Sequence, residues 1–179
     1  MKSTEHLNAA VIGQINPESL VEASLEDMEN LYRHDAVEAY GNVVEDENTK
    51  ESLKTYFDAK AQKLSDVIQD PSQRFWLVTQ GGKVVGMAGY NIERRLIHSV
   101  YVSGKIRGQG VGSTLMQHLI RDTADGRPRS ILVAEANTRA IDFYKRLGFE
   151  LNGARKDWKI GDTSIPELEL EIKGEYESN

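Results

Sequence analysis

The chain of 179 residues contains no cysteine. That excludes disulfides, thiolate-ligated metal and a cysteine nucleophile together. It also lacks a long apolar run. Nothing in it approaches the roughly 18 residues of a membrane span, and the opening MKSTEHLNAA has no apolar core of the signal-peptide kind. A cytosolic protein with no membrane partner is therefore expected. Cationic side chains are in the minority, 22 Lys and Arg against 28 Asp and Glu, for a net charge of −6. Nucleic acid is not an expected partner, because its binding depends on neutralising phosphates with Lys and Arg. The four histidines, His6, His34, His98 and His118, have no close ligand spacing with one another, and no metal is expected.

With 39% hydrophobic residues, a chain of this length can bury one core. A single domain is expected over 18–174, with an N-terminal extension at 1–17 and a C-terminal tail at 175–179. The extension carries a short apolar patch at 9–12 and could pack on the second subunit of a homodimer. Residues 20–24 suit a short first strand. Leu25, Met28, Leu31 and Tyr32 recur every three or four residues and predict an amphipathic helix. Leu53, Tyr56, Phe57, Leu64, Val67 and Ile68 predict a second one over 48–68, ended by Pro71. Two apolar runs, 74–79 and 83–90, meet at Gln80-Gly81-Gly82 as a hairpin, and with 96–102 they make three antiparallel strands. Further on, 130–136 reads as a buried strand and 138–147 as a helix with Gly148 beyond its end. The alternation of Leu168, Leu170 and Ile172 with Glu167, Glu169 and Glu171 marks a half-buried strand, paired with 149–160 across Gly161-Asp162.

Between the 96–102 strand and a helix marked by Val111, Leu115, Met116, Leu119 and Ile120 lies a glycine-rich turn, Arg107-Gly108-Gln109-Gly110-Val111-Gly112-Ser113. A helix start offers backbone N–H groups without intrahelical partners and the positive end of the helix dipole, and glycines let a phosphate approach them. A nucleotide P-loop is excluded, since Ser113 follows Gly112 with no lysine between. A dinucleotide fingerprint needs Gly-x-Gly-x-x-Gly, whereas Gly108, Gly110 and Gly112 are spaced Gly-x-Gly-x-Gly. Glu135 does stand about where a ribose-binding acid would be.

Arg107-x-x-Gly110-x-Gly112, preceded by Val102, resembles the acetyl-CoA-binding loop of the Gcn5-related N-acetyltransferase (GNAT) family. A second element of the family is similar to Asn137-x-x-Ala140-x-x-Phe143-Tyr144-x-x-Leu147-Gly148-Phe149. The resemblance implies a mixed α/β fold with a central, mostly antiparallel sheet and flanking helices. It implies acetyl transfer from acetyl-CoA to an amine without a covalent intermediate. It places the pantetheine arm along the backbone of Val100, Tyr101 and Val102, and the pyrophosphate on the amides of Arg107, Gly108, Gln109, Gly110, Val111, Gly112 and Ser113. Arg107 would add a charge-assisted bond to a phosphate. Asn137 either bonds the arm or caps the helix that follows. Tyr144 would be the general acid beside the thioester sulfur, protonated at neutral pH by its ordinary pKa near 10.

The general base does not carry over from the resemblance, because Leu96 occupies the position where some relatives have glutamate. His98, Glu93, Glu135 or a water relay stay open. Eleven acids between Glu18 and Glu51, against Arg33 and Lys50, would give the acceptor side a negative lining and attract a cationic amine. The order of the early helices and strands also resembles the polyamine-acetylating branch. A peptide or protein amine is the alternative acceptor, and a non-catalytic acetyl-CoA-binding module the alternative to an enzyme.

Overall fold

The computed structural model describes residues 11–14 and 22–174. In chain order it contains β1 (Val11–Gln14), α1 (Glu22–Asn30), a π-helical segment (Leu31–Ala36) and α2 (Val37–Gly41). Next come α3 (Glu47–Gln62), α4 (Leu64–Gln69), β2 (Gln73–Gln80), β3 (Lys83–Asn91) and β4 (Leu96–Val102). The chain continues through α5 (Val111–Asp122), β5 (Arg129–Ala134), α6 (Thr138–Arg146), β6 (Glu150–Ile160) and β7 (Thr163–Ile172). Among the described residues no helix is long and apolar enough to cross a membrane.

The strands form one sheet in the order β1-β2-β3-β4-β5-β7-β6. Every neighbouring pair is antiparallel except β4 with β5. The mixed α/β architecture with flanking helices is therefore as the resemblance implies. A Gly81-Gly82 turn joins β2 to β3, both residues at positive φ. Of the strand expected at 20–24, residues 22–24 are helical and 20–21 lie outside the described residues. Helix α1 already starts at Glu22, because Leu25, Met28, Leu31 and Tyr32 all pack inward and carry the helical period back to that point. The edge of β2 is taken instead by Val11–Gln14. The helix expected over 48–68 is two helices that meet at Lys63. Asp46 caps the first by accepting from the Thr49 amide at 2.9 Å.

Each face of the sheet carries its own core. Helices α1 to α4 cover one face, where Met28, Leu53, Phe57 and Leu64 meet Phe75, Leu77, Met87 and Ile165. The other face is covered by α5 and α6, whose Leu115, Met116, Leu119 and Ile141 meet Trp76, Ala88, Ile97 and Leu170. A sheet filled on both sides leaves little slack, so what shapes the function is where two strands part.

They part at β4 and β5. At one end the pair is clamped. The Arg95 guanidinium makes a two-pronged bond to Asp125 at 2.8 and 2.7 Å and donates to the Pro128 and Arg127 carbonyls. The strands then pair only at Leu96 with Ser130 and Ile97 with Ile131. Beyond Ile97, β4 bulges: Met87 opposes Tyr101 and Gly89 opposes His98, so Ser99 and Val100 together face the single residue Ala88. Ser99 sits at φ 56, a left-handed conformation that costs a non-glycine residue about 1–3 kcal/mol. Its hydroxyl is held on both sides, by Tyr32 at 2.6 Å and by His98 at 2.8 Å. The bulge bends β4 away from β5 and leaves the β5-facing edge of 98–102 without a strand partner.

Candidate active site

The gap between β4 and β5 opens into a cleft of about 1120 Å³. One end is formed by β4, the glycine turn and the start of α5. Val100, Tyr101 and Val102 line it, followed by Arg107, Gly108, Gly110, Val111, Gly112 and Ser113. Gln109 is exposed and lies outside the lining. Gly110 is the N-cap of α5, in the left-handed conformation at φ 82, and no side chain caps the helix. The first amides of α5 therefore have no intrahelical or side-chain partner, and open space lies above both Gly108 and Gly110.

Arg107 is bound into the protein. It donates to the Val102 carbonyl at 3.2 Å and pairs with Asp35 at 3.1 Å and Glu38 at 3.2 Å. The same Asp35 oxygen accepts from the Gly104 amide at 2.7 Å. This knot ties the glycine turn to the π-helical segment. Asn137 caps α6, its Oδ1 accepting from the Ala140 amide at 3.1 Å, and it also lines the cleft. Tyr144, on α6, also lines the cleft and is 7% exposed. Its ring stands edge-on to Phe143 and Phe149, at 5.1 and 5.8 Å between centroids. Its hydroxyl has no hydrogen-bond partner among the described residues, and burial pushes its pKa well above that of a free phenol.

The opposite end is aromatic. Tyr40, Tyr56 and Phe57 meet Trp158, with Tyr56 and Trp158 edge-on at 4.9 Å. Two charged groups are set into this wall. The Lys60 ammonium lies 5.6 and 5.5 Å from the ring centres of Tyr32 and Tyr56, close enough for cation–π attraction, and has no ion-pair partner among the described residues. Burial draws its pKa down, and Glu167 opposes the shift. Glu167, on β7, is 8% exposed and lines the cleft, and its carboxylate has no hydrogen-bond partner among the described residues. Burial raises its pKa, with Lys156 and Lys60 partly offsetting.

His98 also lines the cleft, but as part of a closed chain of hydrogen bonds. An amide oxygen only accepts, so His98 Nε2–H donates to Gln73 Oε1 at 2.9 Å and Nδ1 accepts from Ser99 at 2.8 Å. Ser99 Oγ in turn accepts from the Tyr32 hydroxyl at 2.6 Å. The imidazole lies on Gly89, where a Cβ would come within 2.3 Å of it. Burial lowers its pKa to about 4, with Lys60 and Arg94 adding to the shift. A ring that stays neutral through the physiological range and has both nitrogens engaged is poorly placed to take a proton from an acceptor. Because the folded-state value lies below the ordinary 6.5, the unfolded chain binds the extra proton between those values. His98 therefore costs stability as pH falls from about 6.5 to about 4, by up to about 1.4 kcal/mol per unit. Thermal melting of the parent should fall more steeply across that window than that of His98→Gln.

Of the other candidate bases, Glu93 is exposed, and Glu135 is exposed and paired with Arg155 at 2.6 Å. Of the early acids among the described residues, only Asp35 lines the cleft. Asp27 accepts from the Val84 amide, Glu29 pairs with Arg33, Glu38 with Arg107, Glu47 with Lys50 and Glu51 with Lys54. The cleft instead carries five cationic side chains, Lys60, Arg94, Arg107, Arg139 and Arg146, against the carboxylates of Asp35 and Glu167. Lys60, Trp158 and Glu167 are the site residues that the sequence reading missed. Lys60 sits one turn from Tyr56 and Phe57, which the helical period had identified, and that proximity was the available signal.

The family model for the Acetyltransferase (GNAT) family matches residues 25–149. An uncharacterized N-acetyltransferase of Methanocaldococcus jannaschii is 38% identical over 96 residues, 47% of this chain and 42% of that protein. A peptidyl-lysine N-acetyltransferase of Salmonella typhimurium is 31% identical over 94 residues, 51% of this chain and 61% of that protein. The chain thus spans about half the length of the curated relatives it matches. Among solved structures, a PaiA N-acetyltransferase of Thermoplasma acidophilum in complex with coenzyme A superposes with a TM-score of 0.70 at 16% identity. That match covers 92% of this chain and 99% of the other, and the likeness is one of fold.

Proposed function

The chain belongs to the acetyltransferase (GNAT) family, and on that premise we propose that its cleft moves an acetyl group from acetyl-CoA to a primary amine by direct attack in a ternary complex. The observation that carries this reading is the free edge of β4 beyond Ile97, which leads straight to the open, left-handed glycines at the start of α5. Acetyl-CoA, when bound, supplies an activated thioester carbonyl. Backbone groups of Val100, Tyr101 and Val102 hold the arm, and the amides from Arg107 to Ser113 hold the pyrophosphate. The Arg107 side chain, already paired with Asp35 and Glu38, fixes the turn that presents those amides. Asn137 keeps Oδ1 on its helix and has its amide nitrogen free for the arm. Tyr144 donates its proton to the leaving sulfur, and the proton lost by the attacking amine passes to water in the cleft, from which the Tyr144 oxygen is reprotonated.

Mixing the protein with acetyl-CoA and a panel of amines, and following free CoA thiol, tests the assignment. Binding of acetyl-CoA without thiol release by any amine would make the domain a non-catalytic module. The Salmonella relative, named for peptidyl-lysine, favours a second acceptor class, the lysine side chain of a peptide, and one belongs in the panel.

A polyamine is the acceptor suggested by the early acids, yet among the described residues only Asp35 of that group reaches the cleft, where it is paired with Arg107. A lining with more cations than carboxylates gives a polycation no electrostatic advantage. Spermidine and a monoamine of similar reach should therefore show similar kcat/KM, with little change as salt shortens the Debye length. A strong preference for spermidine at low salt that fades with salt would restore the polyamine reading.

A further inference from the structure

Two opposite charges sit unpaired in the aromatic end of the cleft, and this is an unusual arrangement. The Glu167 side chain is 8% exposed and has neither a hydrogen-bond donor nor a cation in contact among the described residues, and its carboxylate oxygens are open to the cleft. Lys60, across the Tyr56 ring, has only the faces of Tyr32 and Tyr56. Lys60 stands on α3 and Glu167 on β7, both line the cleft, and each senses the other's charge without the two closing into an ion pair. Phe57 stands edge-on to Tyr101 of β4 at 6.1 Å between ring centroids, which joins this end to the strand proposed to hold the pantetheine arm.

Resting on the acetyltransferase reading, we propose that the acceptor is a small aminocarboxylate, with its amine directed to Glu167 and its carboxylate to Lys60. A zwitterion of this kind satisfies both charges at once and lies between them. The walls of Tyr40, Tyr56, Phe57 and Trp158 suit an apolar side chain on the same molecule. A polyamine would set a second cation against Lys60, and a plain alkylamine would leave Lys60 unsatisfied.

The test compares amino acids with their decarboxylated counterparts under saturating acetyl-CoA: methionine against 3-(methylthio)propylamine, phenylalanine against phenethylamine, and 6-aminohexanoate against pentylamine. The parent should prefer the carboxylated member of at least one pair by about tenfold or more in kcat/KM, the worth of one charge-assisted hydrogen bond. Lys60→Met keeps an apolar stem over the tyrosine rings. It should erase that preference by lowering kcat/KM for the acid alone, while Lys60→Arg retains it. Glu167→Gln should lower both members together. Acetyl-CoA binding by calorimetry serves as the control for folding in each variant. Preference for the decarboxylated amine in every pair overturns the proposal, as does a preference that survives in Lys60→Met. If amines lacking a carboxylate are acetylated and the acids are not, the acetyltransferase reading stands and the acceptor class falls. If none of these amines is acetylated but the peptide lysine of the panel is, the acceptor class alone falls; if the peptide is untouched as well, both fall.

Discussion

Replacing Tyr144 with phenylalanine should slow the chemical step by roughly 10²- to 10⁴-fold, the usual worth of a general acid, while acetyl-CoA affinity barely changes. The structure makes this a clean substitution. The ring is fixed by its edge-on contacts to Phe143 and Phe149, all of which phenylalanine retains. The hydroxyl has no hydrogen bond to another described residue, so its removal leaves no orphaned partner. Burial holds the phenol protonated far above neutral pH, so the donor form is always present. The same shift makes it a weaker acid than a free phenol, which sets a ceiling on the effect, since a CoA thiolate is already a fair leaving group. The measurement is single-turnover acetylation beside calorimetric binding of acetyl-CoA. Equal single-turnover rates for parent and variant, with chemistry limiting, would remove Tyr144 from the acid role, and a loss of binding would make it a residue that holds the arm.

The second large effect is at the other end of the cleft. Acetyl-CoA at 100 times its dissociation constant should stabilise the parent by about 2.7 kcal/mol, a rise in melting temperature of about 5–10 °C for a chain of this size. Gly110→Glu should abolish that rise and the activity with it. Gly110 caps α5 at φ 82 with open space where a Cβ would go. A glutamate there is strained by the left-handed backbone, and it sets a negative charge on the amides meant for phosphate. The two causes separate with Gly110→Asn. Asparagine tolerates the left-handed conformation and carries no charge, so it should keep a substantial part of the ligand-induced shift. An unchanged melting temperature for the parent under saturating acetyl-CoA would refute the cofactor site itself.

The elements around the donor end were legible because their signals are local. The hydrophobic periods of α5 and α6, the Gly81-Gly82 turn, and the glycines between β4 and α5 are properties of a few adjacent residues, and each forms where its period or turn chemistry requires. The capping role of Asn137 was likewise one of two readings open beforehand. Other features depend on a partner far along the chain. Ser99 sits in a bulge with no turn residue to announce it, held by Tyr32 from a different helix, and that bulge is what opens the cleft. Glu167 belongs to an alternation that reads as a half-buried strand. Alternation separates two faces but cannot say that the polar one is also covered, and here the glutamate lies beneath the aromatic wall from α2, α3 and β6.

The early acids show the same limit in reverse. Their number is a fact of composition, but Asp27, Glu29, Glu38, Glu47 and Glu51 are taken up by amides and by neighbouring cations, which leaves the cleft more cationic than anionic. Periodicity and glycine spacing by themselves determined the helices, most of the strands and the glycine turn before α5, because backbone geometry within one turn or one hairpin depends only on nearby residues. The parting of β4 from β5, the sign of charge in the cleft and the presence of both Lys60 and Glu167 in its lining were decided by the tertiary structure, since each depends on which distant segments packing brings together.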